Sequence, residues 1–274
     1  MRIYSACALF LILAALPIVL YRYKGGYLRF KIVSRLESDA VLPAEEPSFK
    51  TFAPLLDQPF YFMGSGGTSF AFLGKDKYTV LKLFKHQHLT PRTGALKRHR
   101  HKSLLFFFTS CAIAYEELRE ETGLLFLTLH KSKRHQKVVH LIDRLGLTLK
   151  IDLSQTEFAL QRRAAPLFAH LDTLLQKGNV DEARVIINGL IDLLAKRASK
   201  GIADRDPHLS LNFGVVDTKV IEYDIGSFSR EPCLALPSHF KKELFFSTYE
   251  LRDWLSARSP LLLEYLLNRL RAYP

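Results

Sequence analysis

The pattern of apolar and polar positions divides the chain into three parts. Residues 3–21 form a nearly unbroken apolar run, residues 59–161 contain short alternating runs, and the chain from residue 164 onward repeats at helical spacing. Alternation with a period of two is typical of half-buried strands, whereas apolar positions at i, i+3, i+4 and i+7 indicate an amphipathic helix. The pattern predicts an apolar N-terminal segment, then a sheet-rich unit, then a helical unit.

The sheet-rich unit is predicted to be an antiparallel sheet of five strands with one helix packed on it. Glycine and aspartate residues separate its apolar runs, which is typical of β-hairpins. The helix is expected over Ser103–Thr122, where Cys111 belongs to an apolar stripe and Gly123 follows as a C-cap. The predicted strands include Phe60–Met63, Thr79–Phe84, Val138–Ile142, Leu147–Leu153 and Glu157–Gln161.

The helical unit contains one long helix and several shorter ones. Val180–Ser199 has an apolar face, acidic residues in its first turn and basic residues in its last, which suits the helix dipole. A shorter apolar stripe precedes it over Leu167–Leu175, and two closing helices are predicted over Ser247–Ala257 and Pro260–Leu270. The second unit is therefore expected to be almost entirely helical.

A cluster of polar residues follows the long helix. Asp204-Arg205-Asp206 comes first, Asn212 lies six residues after Asp206, and Asp224-Ile225-Gly226 ends a short apolar strand. Mg²⁺ prefers oxygen ligands and usually takes one or two side chains together with phosphate oxygens. A remaining carboxylate can orient or deprotonate an attacking hydroxyl. Taken singly, each aspartate is also an ordinary turn residue, so the hypothesis of a Mg-nucleotide site depends on the combination.

A glycine-rich loop and a strand lysine add to this combination. Gly64-Ser65-Gly66-Gly67-Thr68 follows the first predicted strand, and glycines let backbone N–H groups approach a phosphate closely. Lys82 lies inside an otherwise apolar strand, where a lone ammonium is costly without an anionic partner. A plain turn and an edge-strand lysine are the simpler interpretations of these two features.

The apolar N-terminal run, Ile3–Tyr21, carries no charge and is long enough to cross about 30 Å of hydrocarbon. Basic residues follow it, which predicts a single-pass membrane protein with its C-terminal bulk in the cytoplasm. A cleaved signal peptide and a buried helix are the alternatives, although no small-residue cleavage site follows the run. We assign residues 1–22 to a transmembrane anchor and residues 23–58 to a linker with little core.

Composition limits the partners. The chain of 274 residues has a net charge of +12, which favours an anionic partner such as a nucleotide, an acidic lipid or a nucleic acid. The basic run at residues 97–102 is typical of a solvated surface or of contact with acidic lipid. Nucleic acid is disfavoured because the basic residues do not alternate with stacking aromatics. Three widely spaced cysteines predict neither a disulfide framework nor a zinc site.

The order of these motifs resembles the protein-kinase-like superfamily, which includes aminoglycoside phosphotransferases and small atypical bacterial kinases. Gly64–Thr68 resembles the phosphate loop, and Val80-Leu81-Lys82 is similar to the V-A-I-K strand. Asp204-Arg205-Asp206 resembles H-R-D with its histidine replaced, and Asp224-Ile225-Gly226 resembles D-F-G. Asn212 departs from the family by one extra residue of spacing, and a third loop glycine and an A-P-E element are missing.

The resemblance implies a fold, a cofactor and a role for each matched residue. The fold is α+β with two lobes, residues 59–163 and 164–274, and the cofactors are ATP and Mg²⁺. Lys82 and the loop Gly64–Thr68 would hold the phosphates, and a helix glutamate, Glu116 or Glu121, would pair with Lys82. The remaining implied assignments are Asp206 and Arg205 for catalysis, and Asn212 and Asp224 for the metal.

Three functions remain open from the sequence. The first is a phosphotransferase that transfers phosphate from Mg-ATP to an unidentified hydroxyl on a protein or small molecule. The second is a pseudokinase that acts as a membrane-tethered binding or scaffold module, which the unusual loop spacing and short C-terminal unit favour. The third is a basic domain that binds membranes or nucleic acid and has no nucleotide site.

Overall fold

The computed structural model describes residues 12–16, 32, 34, 49–85 and 95–273, with backbone alone for residues 95–103. The described chain has a sheet-rich half with an apolar core of its own, followed by a helical half with a second core. A third apolar cluster joins the long helix of the first half to residues Ile202, Ile225 and Phe228 of the second. The fold is α+β, as the sequence predicts.

Seven strands form the sheet of the first half, and the sheet is mixed. Its strand order is β4-β7-β3-β2-β1-β5-β6, and only the pairing of β1 with β5 is parallel. The strands are β1 Pro59–Ser65, β2 Ser69–Gly74, β3 Thr79–Phe84, β4 Leu124–Thr128, β5 Val138–Ile142, β6 Thr148–Asp152 and β7 Phe158–Arg162.

The prediction of a five-stranded antiparallel sheet is therefore wrong in both number and direction. The sequence analysis did not predict the strand Leu124–Thr128, which is short and pairs with β7 across an irregularity between Leu124 and Phe126. The parallel pair brings Phe60 beside Leu141, eighty-one positions away in the sequence. Such pairing depends on long-range packing, which local alternation does not encode.

The helices of the first half are α1 Phe49–Phe52, α2 Ala95–Glu117 and α3 Arg119–Thr122. The predicted apolar stripe of α2 is confirmed, since Phe108, Cys111 and Tyr115 are all buried. Gly123 ends α3 with a φ of 65°, and a Cβ added there would lie 2.8 Å from Ile221. Glycine is required at this cap for both conformational and steric reasons.

Residues before the first strand contribute to the core, contrary to the prediction of a linker with little core. Phe49 packs edge-on against Phe126 at 5.5 Å between ring centroids, and Ile32 and Leu56 are almost fully buried. The Ser34 hydroxyl donates a 2.8 Å hydrogen bond to the Glu157 carboxylate. These contacts fasten the segment before β1 onto the sheet.

The predicted transmembrane anchor is corrected. Most of residues 3–21 lie outside the described residues, and positions 12–16 are helical. No helix in the ranges that the structure describes is long and apolar enough to cross a membrane. The described residues therefore do not support the predicted preceding transmembrane helix or the predicted single-pass membrane protein. The basic side chains at 97–102 also lie outside the described side chains.

The second half consists of helices around two small sheets. One sheet has the order β11-β10-β8, and the other pairs β12 with β9. The long helix Val180–Ser199 is observed with the bounds that the sequence predicts, whereas Pro237–Ser247 is a helix that the sequence analysis missed. The elements are β8 Ala165–Pro166, α4 Leu167–Gln176, α5 Val180–Ser199, β9 Ile202–Asp204, α6 Leu209–Asn212, β10 Phe213–Val216, β11 Lys219–Glu222, β12 Phe228–Arg230, α7 Pro237–Ser247, α8 Tyr249–Arg258 and α9 Pro260–Ala272.

A buried ion cluster fixes the strands that lead into the two carboxylate loops. The Arg197 guanidinium, on α5 and 1% exposed, donates to both Glu222 carboxylate oxygens at 2.7 Å. The same guanidinium lies 3.9 Å from Asp204 and 3.4 Å from Glu243 on α7. Burial raises the pKa of Glu222 well above its usual value, and nearby Asp204 raises it further, against the opposing effect of Arg197. The one cation thus joins α5, α7, β9 and the end of β11.

We expect Arg197→Met to lower the free energy of unfolding by about 3–5 kcal/mol, because three carboxylates would lose their shared cation in a buried site. Chemical denaturation of the full chain measures this loss. Arg184→Met on the same helix is the matched control, since Arg184 is partly exposed and its ion pair with Asp181 lies at the surface; we expect a change of at most about 1 kcal/mol. Equal effects from the two variants would contradict the role given to the cluster.

Candidate functional site

Lys82 on β3 reaches across to the helical half. Its ammonium donates a 2.6 Å hydrogen bond to the backbone carbonyl of Tyr223, the residue before Asp224. Burial lowers the pKa of Lys82, while the nearby charge of Asp224 raises it. A lysine that is partly buried and faces a carboxylate is positioned to bind a further anion. The structure thus brings Lys82 and Asp224 into one site.

Asp224 begins a bend that α2 holds in place. Its Oδ1 accepts a 3.2 Å hydrogen bond from the Gly226 N–H. Ser110 on α2 is fully buried, and its hydroxyl donates to the Ile225 carbonyl at 2.7 Å and accepts from the Phe228 N–H at 2.6 Å. These two bonds span Gly226, so the bend after Asp224 is fixed from the sheet-rich half.

The loop that contains Asp206 is ordered by its own backbone and by Asp204. The buried Asp204 carboxylate accepts from the Asp206 N–H at 2.9 Å and from the Ser227 hydroxyl. Asp206 itself is exposed, with 56% of its side chain accessible. Arg205 is exposed too, and its guanidinium donates to the Ser229 hydroxyl at 3.0 Å. Asp206 is therefore accessible while its backbone is tied to the bend that follows Asp224.

Asn212 closes the loop onto Asp206. Its Nδ2 donates a 2.7 Å hydrogen bond to the Asp206 carbonyl, and its backbone N–H bonds to the His208 carbonyl at 2.9 Å. The extra residue of spacing is accommodated by the single helical turn α6, Leu209–Asn212. Because Nδ2 is used within the loop, Oδ1 is the atom of Asn212 that suits a ligand.

A histidine and a glutamate support Asp206 from the side. His208 Nε2 lies 3.3 Å from Asp206 Oδ1, and His208 Nδ1 lies 2.8 Å from Glu250 at the start of α8. The hydrogen bond with Glu250 raises the pKa of His208, and the charge of Asp206 raises it too. The Ser210 N–H also donates to Glu250 at 2.9 Å, so α8 anchors the loop after Asp206.

The glycine-rich loop connects β1 and β2. Gly64 and Ser65 end β1, whereas Gly66, Gly67 and Thr68 form the turn. A Cβ added at Gly64 or Gly67 would meet no atom within 4 Å. Neither glycine has a positive φ among the residues described. The fold itself therefore does not require glycine at these two positions.

Lys85 lies just after β3 and is almost fully buried. Its ammonium donates to the Ser65 hydroxyl at 2.7 Å and to the Gly66 carbonyl. The backbone N–H of Lys85 also bonds to the Thr68 carbonyl at 2.7 Å. One residue thus holds both ends of the glycine turn.

The structure does not bring Glu116 to Lys82. Glu116 is exposed on α2, and Glu121 forms an ion pair with Lys196 on α5 instead. The α2 residue that influences Lys82 is the buried Cys111, whose pKa is raised by burial and by Asp224. Glu116 and Glu121 lie at the margins of the apolar stripe, and a helical wheel does not specify which marginal residue faces a given strand.

Several polar residues that shape this site were not predicted from the sequence. Gln161 at the end of β7 is buried and donates to the Thr122 carbonyl at 2.6 Å and to the Tyr223 carbonyl at 3.2 Å. The Tyr223 carbonyl therefore accepts from both Gln161 and Lys82. Glutamine and serine are common in every element, so their types alone gave no signal. The missed residues are Lys85, Ser110, Gln161, Tyr223, His208 and Glu250.

Asp224 and Asn212 are the candidate metal ligands of this site. Within the described ranges, no group of three histidine, cysteine, aspartate or glutamate side chains could hold a metal ion. A Mg²⁺ bound together with a nucleotide needs fewer protein ligands, because phosphate oxygens and water complete its coordination. The Asp224 carboxylate and Asn212 Oδ1 are hard oxygen donors of the right kind. The residues fit Mg²⁺ held jointly with a phosphate group.

Comparisons with known proteins gave matches among solved structures alone. No protein-family model matches the chain, and no curated protein matches it. A crystal structure of WbdD matches with a TM-score of 0.38 and 16% identity over 78% of this chain and 46% of that one. The complex of WbdD with the kinase inhibitor LY294002 matches with a TM-score of 0.39 and 14% identity over the same shares.

A further structure of WbdD, a bifunctional kinase-methyltransferase, matches with a TM-score of 0.34 and 17% identity, over 76% of this chain and 43% of that one. This chain spans less than half the length of the solved proteins it matches. The resemblance to these structures is distant, at 14–17% identity.

We expect Ser110→Ala to lower the free energy of unfolding by about 1–3 kcal/mol, because it leaves the Ile225 carbonyl and the Phe228 N–H without their buried partner. Thr109→Ala is the matched control on the exposed face of the same helix, with an expected change within about 0.5 kcal/mol. Thermal or urea unfolding measures both. Equal stability of the two variants would contradict the role of the Ser110 hydrogen bonds in fixing the bend after Asp224.

Proposed function

We propose that this protein binds Mg-ATP and transfers its terminal phosphate to a hydroxyl group of an acceptor. The contact between Lys82 and the Tyr223 carbonyl, with Asp224 next in the chain, carries the proposal. It places a cation from the sheet-rich half against the backbone of the helical half, next to the residue that carries the carboxylate. Phosphoryl transfer depends mainly on positioning and charge neutralisation, so a small set of such groups is sufficient.

Each site residue has a role that matches its chemistry. Lys82 binds the phosphates by charge, and the loop at Gly64 and Gly67 leaves open space over which a phosphate approaches the backbone. Asp224 and Asn212 would hold Mg²⁺, which would neutralise phosphate charge. Asp206 is exposed and accepts the proton of the acceptor hydroxyl.

Position and access support Asp206 as the base. His208 and Glu250 orient its carboxylate from the α8 side, and Asp204 holds its backbone. Arg205 is directed away from that carboxylate, toward Ser229 and Glu231. Arg205 therefore helps to hold the loop in its conformation, whereas the Asp206 carboxylate is exposed and accessible to a substrate.

A pseudokinase that binds nucleotide without transfer is the second candidate. The observation that favours it is the replacement of a helix glutamate by Cys111 in the surroundings of Lys82. A neutral thiol does not neutralise the ammonium as a carboxylate does. The two candidates share the nucleotide site and differ in turnover, so binding and transfer are measured separately.

The binding experiment compares nucleotide affinity in matched variants of the full chain. We expect Lys82→Ala and Asp224→Ala to weaken Mg-ATP binding about tenfold or more, since hydrogen bonds to charged groups contribute about 1.5–3 kcal/mol each. Lys75→Ala and Asp253→Asn, at exposed positions, serve as controls with unchanged affinity. Calorimetry with and without EDTA measures binding. Equal affinity in all variants would refute the site.

The transfer experiment separates the two candidates. We expect Asp206→Asn to reduce phosphate transfer, measured as autophosphorylation or ATP hydrolysis, by about 100-fold or more because it removes the base. Nucleotide affinity should remain close to that of the unmodified chain. Asp181→Asn, at a highly exposed site on α5, is the control with unchanged transfer. Nucleotide binding without any transfer by the unmodified chain would establish the pseudokinase instead.

A further inference from the structure

A large open groove lies between α7, α8 and α9 in the helical half. Its volume is about 1320 Å³, which exceeds the roughly 300–1,000 Å³ of typical small-molecule sites. The groove is distinct from the nucleotide site, because its lining contains none of the residues assigned to that site. Its chemistry therefore calls for a separate explanation.

Aromatic side chains project into this groove from α7 and α8. Phe245 is 49% exposed, Phe246 is 61% exposed and Tyr249 is 45% exposed. Leu267 and Leu270 of α9 contribute the opposite apolar wall. Large apolar side chains grouped in one concave surface mark an interaction site more often than isolated ones do.

All charged residues that line the groove are cations. They are Lys241, Lys242, Arg252 and Arg271, and no carboxylate in the described part of the chain forms an ion pair with them. Lys241 donates only a long 3.5 Å bond to the backbone carbonyl of Arg271. The groove therefore combines an apolar floor with an uncompensated positive rim.

Arg252 is held in place in this rim. Its guanidinium lies 3.6 Å from the Phe245 ring centroid, and it donates a 3.0 Å hydrogen bond to the Phe245 carbonyl. The Nε of Arg252 is buried without a hydrogen-bond partner among the described atoms. The Phe245 ring and carbonyl thus fix the position of a cation that forms no ion pair with a carboxylate of the described residues.

The floor of the groove rests on the packed core of the helical half and does not require a bound partner. Leu244, Leu251 and Leu266 are fully buried beneath it in the core of the helical half. The Thr248 hydroxyl bonds to the Leu244 carbonyl at 2.8 Å where α7 meets α8. A rigid surface of this kind loses little conformational entropy on binding.

The shape of the groove selects the class of occupant. Helices alone form its walls, so it offers no unpaired strand edge to an extended peptide. A helix satisfies its own backbone hydrogen bonds and needs only an apolar face for such a groove. The cationic rim requires acidic residues beside that face. A second copy of this chain is a poor match, since its net charge is +12.

We propose that this groove binds an amphipathic helix of a partner protein whose apolar stripe is flanked by aspartate and glutamate. The apolar stripe packs on Phe245, Phe246 and Tyr249, and the acidic flanks pair with Lys242 and Arg252. The proposal does not depend on nucleotide binding or phosphate transfer, so it stands or fails separately from the proposed function.

The test uses a synthetic fluorescent peptide of about 18 residues, five helical turns, with leucines at i, i+3, i+4 and i+7 spacing and glutamates elsewhere. We expect the full chain to bind it with a Kd of about 1–100 µM by fluorescence anisotropy, as suits a helix-sized contact. The affinity should fall as salt rises, because the rim contributes charge. A scrambled peptide of the same composition and a lysine-for-glutamate peptide are the ligand controls.

Two variants change residues of the groove, and a third changes an exposed residue outside it as a control. Phe246→Ser and Lys242→Glu should each weaken peptide binding about tenfold, since each removes an anchor of about 1.4 kcal/mol. Both positions are exposed, and unfolding curves matching the unmodified chain verify the fold. Leu147→Ser, at another exposed apolar site between β5 and β6, should leave binding unchanged.

Several results would overturn the proposal. Equal binding of the scrambled or lysine peptide, or no binding of the acidic helix, excludes selection of an acidic amphipathic helix. Binding of anionic vesicles of phosphatidylglycerol and phosphatidylcholine that Phe246→Ser abolishes, without peptide binding, assigns the groove to lipid. Concentration-dependent dimerisation that the same variant abolishes assigns it to a second copy of the chain.

Discussion

The buried guanidinium of Arg197 is the constraint on which the site depends. It holds Glu222 at the end of β11 and lies beside Asp204 at the end of β9, and these strands lead into the two carboxylate loops. Three carboxylates share this one cation, and removing a partner from such a buried cluster costs far more than a surface ion pair contributes. This one side chain therefore ties together the two strands that lead to Asp206 and Asp224.

Hydrogen bonds around Tyr223 connect the two halves of the molecule, in addition to a shared apolar cluster and surface ion pairs. Lys82 and Gln161 from the sheet both donate to its carbonyl, and Ser110 from α2 holds the bend that follows Asp224. Ile225 packs in the same apolar cluster as α2. A movement of α2 would therefore change the position of the Asp224 bend. This coupling makes the helix a structural part of the site although its glutamates do not reach Lys82.

The elements and residues that depend on neighbouring positions in the chain could be predicted from the sequence. The helix Val180–Ser199 and the cap at Gly123 follow from periodicity and from a left-handed position that favours glycine. The lysine in β3 was identified because a charge inside an apolar run needs a partner. The parallel β1–β5 pair and the roles of Ser110 and Gln161 depend on remote neighbours, which periodicity does not reveal. The membrane prediction used the hydropathy of one segment and the basic residues that follow it, and no described helix supports it.

The most direct measurement of the central claim is covalent labelling with an acyl-phosphate derivative of ATP, which acylates the lysine amine that lies beside its phosphates. After digestion, mass spectrometry locates the modified residues. The account predicts labelling of Lys82 that excess Mg-ATP prevents, with labelling of the exposed Lys75 insensitive to Mg-ATP. Labelling confined to surface lysines, or labelling of Lys82 that Mg-ATP does not reduce, would contradict a nucleotide site between Lys82 and Asp224.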